Sequence, residues 1–257
     1  MKIFAIGDVH LSFTAPVDPA NWELARVNKP MDVFGLHWAE HYRKIYLNWI
    51  ERVGPQDLVL LPGDISWAMK LPGAAHDLAF LGSLPGTIVA VPGNHDYWWQ
   101  SLKQVRRAIP PNMRVIQNDH VVIGGLALCG TRGWICPNGG GYTAEDEKIY
   151  RRELIRLENS LRSARPQGRE IIVLMHFMPT NEQHDRSGFI DLFLQYGVST
   201  VVYGHLHSGA SRYRLPDEAW GIRFCLVSAD YLGFAPLLIG ETAPGRQPDH
   251  GAARPPG

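Results

Sequence analysis

Five short polar clusters carry residue types that bind metal ions and move protons. They are Gly7-Asp8-Val9-His10, Gly63-Asp64, Gly93-Asn94-His95-Asp96, Met175-His176 and Gly204-His205-Leu206-His207. Carboxylates, imidazoles and one amide are oxygen and nitrogen donors without thiolate, a set that suits Mn, Fe, Co or Zn over Cu(I) or iron–sulfur chemistry. Asp8 and His10, like His205 and His207, are spaced i, i+2. In extended backbone each pair points the same way and can bracket one ion. Asp8, His10, Asp64, Asn94, His176, His205 and His207 supply seven groups, with His95 to spare. Seven exceed the shell of one tetrahedral zinc and suit two ions sharing a carboxylate. Two cations also let carboxylates and imidazoles crowd together without ruinous pKa shifts.

Taken singly, each cluster has a structural explanation: Gly-Asp after a strand is a turn, and His176 after a buried strand is a satisfied core histidine. Chance alone would produce Gly-Asn-His-Asp in about one such chain per thousand. What outweighs the structural explanation is placement. Short apolar, β-branched runs at residues 3–6, 58–61, 87–91, 171–175 and 200–203 read as strands buried on both faces, and each runs directly into one of the five clusters. Ligand sites in open α/β sheets form at the carboxyl ends of strands, so five such ends can converge on one place.

Further strands are expected at 114–116, 120–128, 222–228 and 237–239. Helices are expected at 36–53, 72–81, 99–109, 143–164 and 189–196, the fourth opening on a Thr143–Asp146 capping box. Residues 11–35 form an insertion with three prolines, longer than a usual strand-to-helix loop and of the kind that tends to be functional or mobile. Residues 1–241 read as one domain, and the Pro- and Gly-rich residues 242–257 as a disordered tail.

The ordered set GDVH, GD, GNHD, H and GHLH resembles the calcineurin-like metallophosphoesterase superfamily, in its bacterial single-domain phosphohydrolase form, over roughly residues 2–240. The resemblance implies an α/β fold, a four-layer α/β/β/α sandwich with a dinuclear metal site at the strand ends. It implies that Asp8, His10 and His207 hold one ion, that Asn94, His176 and His205 hold the other, and that Asp64 bridges them. His95 would protonate the leaving oxygen and Asp96 would orient His95. Two divalent ions are expected, Mn2+ first, with Fe, Zn or Co as alternatives. The reaction implied is hydrolysis of a phosphoester by in-line attack of a hydroxide held between them.

The protein-phosphatase branch carries an Arg after the bridging Asp that clamps a dianionic phosphate. Here the stretch reads Gly63-Asp64-Ile65-Ser66-Trp67-Ala68, without Arg, which disfavours a dianion relative to a monoanionic diester. Arg132, just beyond the strand that ends near Cys129, could supply the same charge. Trp67 and Tyr97 flank the site as candidate stacking partners for a nucleoside, and the glycine-rich rim at 132–142 offers Arg132, Trp134 and Tyr142 as substrate contacts. A small phosphodiester, cyclic nucleotides included, is therefore the leading substrate class. A phosphomonoesterase or protein phosphatase is the alternative, and a non-catalytic scaffold a remote one.

Composition narrows the partners. Lys and Arg number 25 against 25 Asp and Glu, a balance that argues against grip on a nucleic-acid polymer. Three cysteines (Cys129, Cys136, Cys225) without C-x-x-C spacing support neither a disulfide framework nor a zinc ribbon. No signal peptide or membrane span is legible, so a cytoplasmic location and no membrane partner are expected.

Overall fold

The computed structural model describes residues 1–164 and 169–242. The expected tail, apart from Thr242, lies outside the described residues. Strands β1 (Lys2–Ala5), β2 (Leu58–Pro62), β3 (Thr87–Val91) and β4 (Met113–Val115) run parallel. With β11 (Leu237–Glu241) antiparallel beside β1, they form a sheet in the order β11-β1-β2-β3-β4. The second sheet contains β5 (Val121–Ile123), β6 (Leu126–Thr131), β7 (Ile171–Met175), β8 (Val198–Tyr203), β9 (Glu218–Ala219) and β10 (Ile222–Leu226). Its order is β5-β6-β7-β8-β10-β9, parallel from β6 to β10 with an antiparallel strand at each edge.

Strand alternation divides the apolar residues among three interfaces. Ile3, Ala5, Leu58, Leu60, Val89 and Val91 face Leu128, Ile172, Leu174 and Val202 between the sheets. Phe4, Ile6, Val59, Leu61 and Ile88 point outward against helices α1 (His41–Arg52), α2 (Ala75–Gly82) and α3 (Leu102–Ala108). On the far side Cys129, Val173, Met175, Val201 and Tyr203 pack under α4 (Ala144–Ala164) and α5 (Gly188–Tyr196). The result is the expected α/β/β/α sandwich. Each fully buried aliphatic side chain contributes about 1.5–3 kcal/mol to holding the layers together.

Several boundaries differ from the sequence reading. The run 120–128 is two strands, because Gly124 and Gly125 (φ 57° and 85°) turn the chain into a hairpin. The helix expected from residue 36 begins at His41, since Glu40 sits at φ 48°, outside helical space. Helix α3 likewise starts three residues late, after Trp98 and Trp99 have turned into the core. The capping box is present: the Asp146 N–H donates to Thr143 Oγ1 and the Thr143 N–H to Asp146 Oδ2. The 11–35 insertion is packed onto the first sheet's helices through Phe13, Trp22 and Met31, with Trp22 edge-on to Tyr46. The three cysteines are free and buried. No helix among the described residues is long and apolar enough to cross a membrane.

Candidate metal centre

All five clusters leave the carboxyl ends of central strands: Asp8 and His10 after β1, Asp64 after β2, Asn94 after β3, His176 after β7, His205 and His207 after β8. Their loops are stitched to one another by backbone bonds, with the Asp8 N–H donating to Gly63 O, the His10 N–H to Asp64 O and the Gly204 N–H to His176 O. The glycine before a ligand is there for close approach. A methyl on Gly93 would lie 2.1 Å from Asp64 Oδ1, and one on Gly204 would lie 2.2 Å from Asp8 Oδ2. Asp8, His10, Asp64 and His205 themselves have φ of 56°, 44°, 49° and 71°. Left-handed non-glycine residues cost about 1–3 kcal/mol each and persist where the surroundings over-determine them, typically at functional sites.

The donor atoms form two adjoining groups. In one, His207 Nε2 lies 3.5 Å from His10 Nε2 and 3.3 Å from Asp8 Oδ1. In the other, His176 Nε2 lies 2.7 Å from Asn94 Oδ1, 3.3 Å from His205 Nδ1 and 3.5 Å from Asp64 Oδ2. That same Asp64 Oδ2 is 3.8 Å from His10 Nε2 in the first group. Asp64 Oδ1 is engaged elsewhere, accepting the His95 N–H at 2.8 Å.

Tautomers sharpen the picture. His176 Nδ1 donates to Pro62 O at 3.1 Å, which leaves a bare lone pair on Nε2 facing an amide oxygen, a carboxylate oxygen and another imidazole nitrogen. Acceptors converging on one point are a cation's environment. The spacings agree: two ligand atoms about 2.1 Å from one ion, at tetrahedral to octahedral angles, stand about 3.0–3.4 Å apart. The residues present therefore fit a metal pair.

Electrostatics of the protein without ions point the same way. Burial holds His10 well below its ordinary pKa and takes His205 down to about 3, so both imidazoles present lone pairs. Burial, reinforced by the Asp8 charge, pushes the Asp64 carboxyl up to about 8. Burial opposes charge on His207 too, but its hydrogen bonds to Asp230 and Asp8, and their charges, win and push it up to about 10. Without cations, a proton on Asp64 and another on His207 offset part of this charge, while the neighbouring imidazoles keep the Asp8 carboxylate ionised.

Asp230 was not singled out from sequence. It lies beyond β10, and its carboxylate accepts from His207 Nδ1 at 2.8 Å and from the Ser208 N–H at 3.0 Å. The bond orients His207 so that Nε2 faces Asp8 Oδ1 and His10 Nε2. The available signal was one more carboxylate just past a strand end, in Ser228-Ala229-Asp230. Asp230→Asn is expected to weaken Mn2+ binding about 10–100-fold, read by calorimetric titration of EDTA-stripped protein. An unchanged affinity would leave Asp230 serving only the Ser208 backbone.

Asp96 corrects a sequence expectation. It does not hydrogen-bond His95. Its Oδ1 accepts from the Ile65 and Ser66 N–H groups and from Trp98 Nε1, and its Oδ2 from the Gly93 N–H. Four donors saturate the carboxylate, which instead ties the Asp64 loop to the Asn94 loop. The half-buried His95 ring packs on Trp67, centroids 4.3 Å apart, and Trp67 also stacks on His10 at 4.9 Å. Burial and the neighbouring His176 lower the His95 pKa.

Two cavities meet at His205. The first, about 220 Å³, is lined by Met31, Phe34, Trp38 and Trp67 over the histidines His10, His95 and His207. The second, about 160 Å³, is lined by residues that include Cys136, Tyr142, Phe177, Met178 and Asn181. Of the expected substrate contacts, Trp67 lines the first and Tyr142 the second. Tyr97, Arg132 and Trp134 line neither. Tyr97 is exposed, and Trp134 Nε1 donates to Asp146 at the start of α4. Arg132 stacks on Trp134 and pairs at 3.5 Å with Glu153, a fully buried carboxylate that also holds Arg156.

The sequence family described as calcineurin-like phosphoesterase matches residues 1–209. The chain belongs to that family. This phosphoesterase is thus placed among phosphoester hydrolases that use a dinuclear metal site. No curated protein matches its sequence significantly. Solved structures similar to it include a protein of unknown function from Aquifex aeolicus (14% identity, 92% of this chain and 94% of that one, TM-score 0.45). A phosphopantetheinyl hydrolase from Mycobacterium tuberculosis is similar at 15% identity, over 95% of this chain and 98% of that one, with TM-score 0.46. A third solved chain aligns at 13% identity, over 87% of this chain and 89% of its own, with TM-score 0.50, a likeness of fold alone.

Proposed function

We propose that this phosphoesterase hydrolyses a small phosphodiester. In this reading Asp8, His10 and His207 hold one divalent cation, and Asn94, His176 and His205 hold the other. Asp64, whose Oδ2 lies within 3.8 Å of an imidazole in each group, would be shared between them. Asp8 Oδ1 also lies 3.9 Å from His176, but from Nδ1, the nitrogen already committed to Pro62 O. Bound there, two divalent cations would supply Lewis acidity toward water and the phosphoryl oxygens.

The observation that carries the diester reading is the pair of cavities sharing His205. A diester has two substituents to place, and a monoester one. Neither lining contains a Lys or Arg to clamp a second phosphoryl charge, and Arg132 is engaged by Glu153. In the reaction a P–O bond forms to the water oxygen as the bond to the leaving alkoxide breaks. His95, as the imidazolium, delivers a proton to that alkoxide, while the proton lost by the attacking water passes to solvent, which reprotonates the imidazole. Trp67 and the Asp64 Oδ1 bond to the His95 N–H hold that imidazole in place. Trp67 does not stack a base in this reading. His10 and His95 crowd its ring, and the Lys29 ammonium lies 4.3 Å from its centroid.

The test is hydrolysis of bis-p-nitrophenyl phosphate against p-nitrophenyl phosphate, using EDTA-stripped protein with Mn2+ restored. We expect activity to return with metal and kcat/KM to favour the diester at least about tenfold, the ratio that about 1.4 kcal/mol of better-matched contacts produces. A monoester preference would instead assign a phosphomonoesterase and bring Arg132 into the site.

A further inference from the structure

Building on the diester reading, we propose that the substituent held in the first cavity is an aliphatic chain, so that the substrate is an amphiphilic, lipid-like phosphodiester. Above its floor of histidines and Asp64 the cavity is walled by Met31, Phe34, Trp38 and Trp67, with Ser208 the one further lining residue. No charged side chain in that wall is available to pair with a second phosphate, and the Trp67 indole N–H is already directed at Met31 Sδ, 3.3 Å away. The apolar surface also continues outward. Phe34 both lines the cavity and is 61% exposed, and its neighbours Val33 and Leu36 are 74% and 86% exposed.

This rim is built on the 11–35 insertion and the short turns after it, which are anchored from below by the buried Phe13 and Met31. Its exposed apolar side chains are therefore presented by a fixed support. An apolar side chain that reaches from a reaction centre to solvent, as Phe34 does, with Val33 and Leu36 exposed beside it in the chain, needs something to cover it. Continuity through Phe34 makes the chain of the bound substrate the occupant. A chain longer than the cavity would lie across Val33 and Leu36 while the phosphoryl group sits over the histidines.

The experiment uses p-nitrophenyl alkyl phosphates from methyl to hexyl, with the Mn2+-loaded full chain. Each methylene buried in the cavity is expected to raise kcat/KM about four-fold, the equivalent of about 0.8 kcal/mol. Phe34→Ser and Leu36→Ser should flatten the slope, Leu36→Ser only for the longer esters. A second readout is independent of turnover: alkyl methylphosphonates should quench intrinsic tryptophan fluorescence with affinities that tighten along the same series. A flat series in both measurements, or a slope that Phe34→Ser leaves unchanged, overturns the aliphatic assignment while the diester reading stands. Preference for a nucleoside p-nitrophenyl phosphate over the hexyl ester overturns it in favour of a base. Cleavage of p-nitrophenyl phosphate with no diester turned over removes the diester reading and this inference with it.

Discussion

Asp64→Asn is expected to reduce phosphodiester turnover by at least about 10³-fold and to leave the protein unable to hold two ions, as counted by metal analysis after dialysis. The magnitude follows from position. Removing one preorganised charge from a site of developing charge costs about 10²–10³, and Asp64 Oδ2 faces both donor groups. Asn is the informative replacement because its amide oxygen can still accept the His95 N–H that Asp64 Oδ1 accepts at 2.8 Å. The backbone of the Asn94 loop is then undisturbed, while a donor NH2 stands where an anionic oxygen stood. In EDTA the variant should be no less stable than the parent at neutral pH. Burial and the Asp8 charge raise the folded Asp64 carboxyl to about 8. A carboxyl raised on folding loses stability as pH climbs from its unfolded pKa, about 4, through that value. Asn never ionises, so urea midpoints of the stripped proteins should separate in the variant's favour across that window. Full metal occupancy in Asp64→Asn would refute the bridge.

His95→Ala is the complementary case. Turnover should fall about 10²–10⁴-fold, the usual contribution of a positioned general acid, with both ions retained. His95 contributes a backbone N–H to Asp64 that alanine also contributes, and its ring leans on Trp67 without bridging the donor groups. The leaving group supplies the control. p-Nitrophenolate departs without needing a proton, whereas an alkoxide does need one. The loss should therefore be small for p-nitrophenyl esters and approach its full size for dialkyl substrates. An equal loss on both, or a metal-depleted variant, would assign His95 to the ion shell instead of the leaving oxygen.

The two variants test parts of the site that differ in how far they were legible in sequence. The donor groups were legible because each lies immediately after a short apolar strand, and local runs of β-branched residues identify strands well. The glycines beside them were legible as turns. Their cause was not, since the 2.1 Å approach of a Gly93 methyl to Asp64 joins residues from different strands. Asp96 shows the same limit from the other side. Adjacency to His95 suggested a partnership, yet the carboxylate points down into four donors from two loops. Asp230 was missed because the residue it serves, His207, is 23 positions away and adjacent only in space.

By itself the sequence determined the class of chemistry and the strands that present it. Donor type and strand ends are local properties, written in residue identity and period. The tertiary structure alone decided which carboxylate oxygen faces both donor groups and which nitrogen of His176 and of His207 is turned toward them. It also decided that Arg132 spends its charge on Glu153, and that an insertion between β1 and α1 walls a cavity over the histidines. Those outcomes depend on distances between residues far apart in the chain. Such distances exist only once two sheets have packed and buried the groups that must find partners.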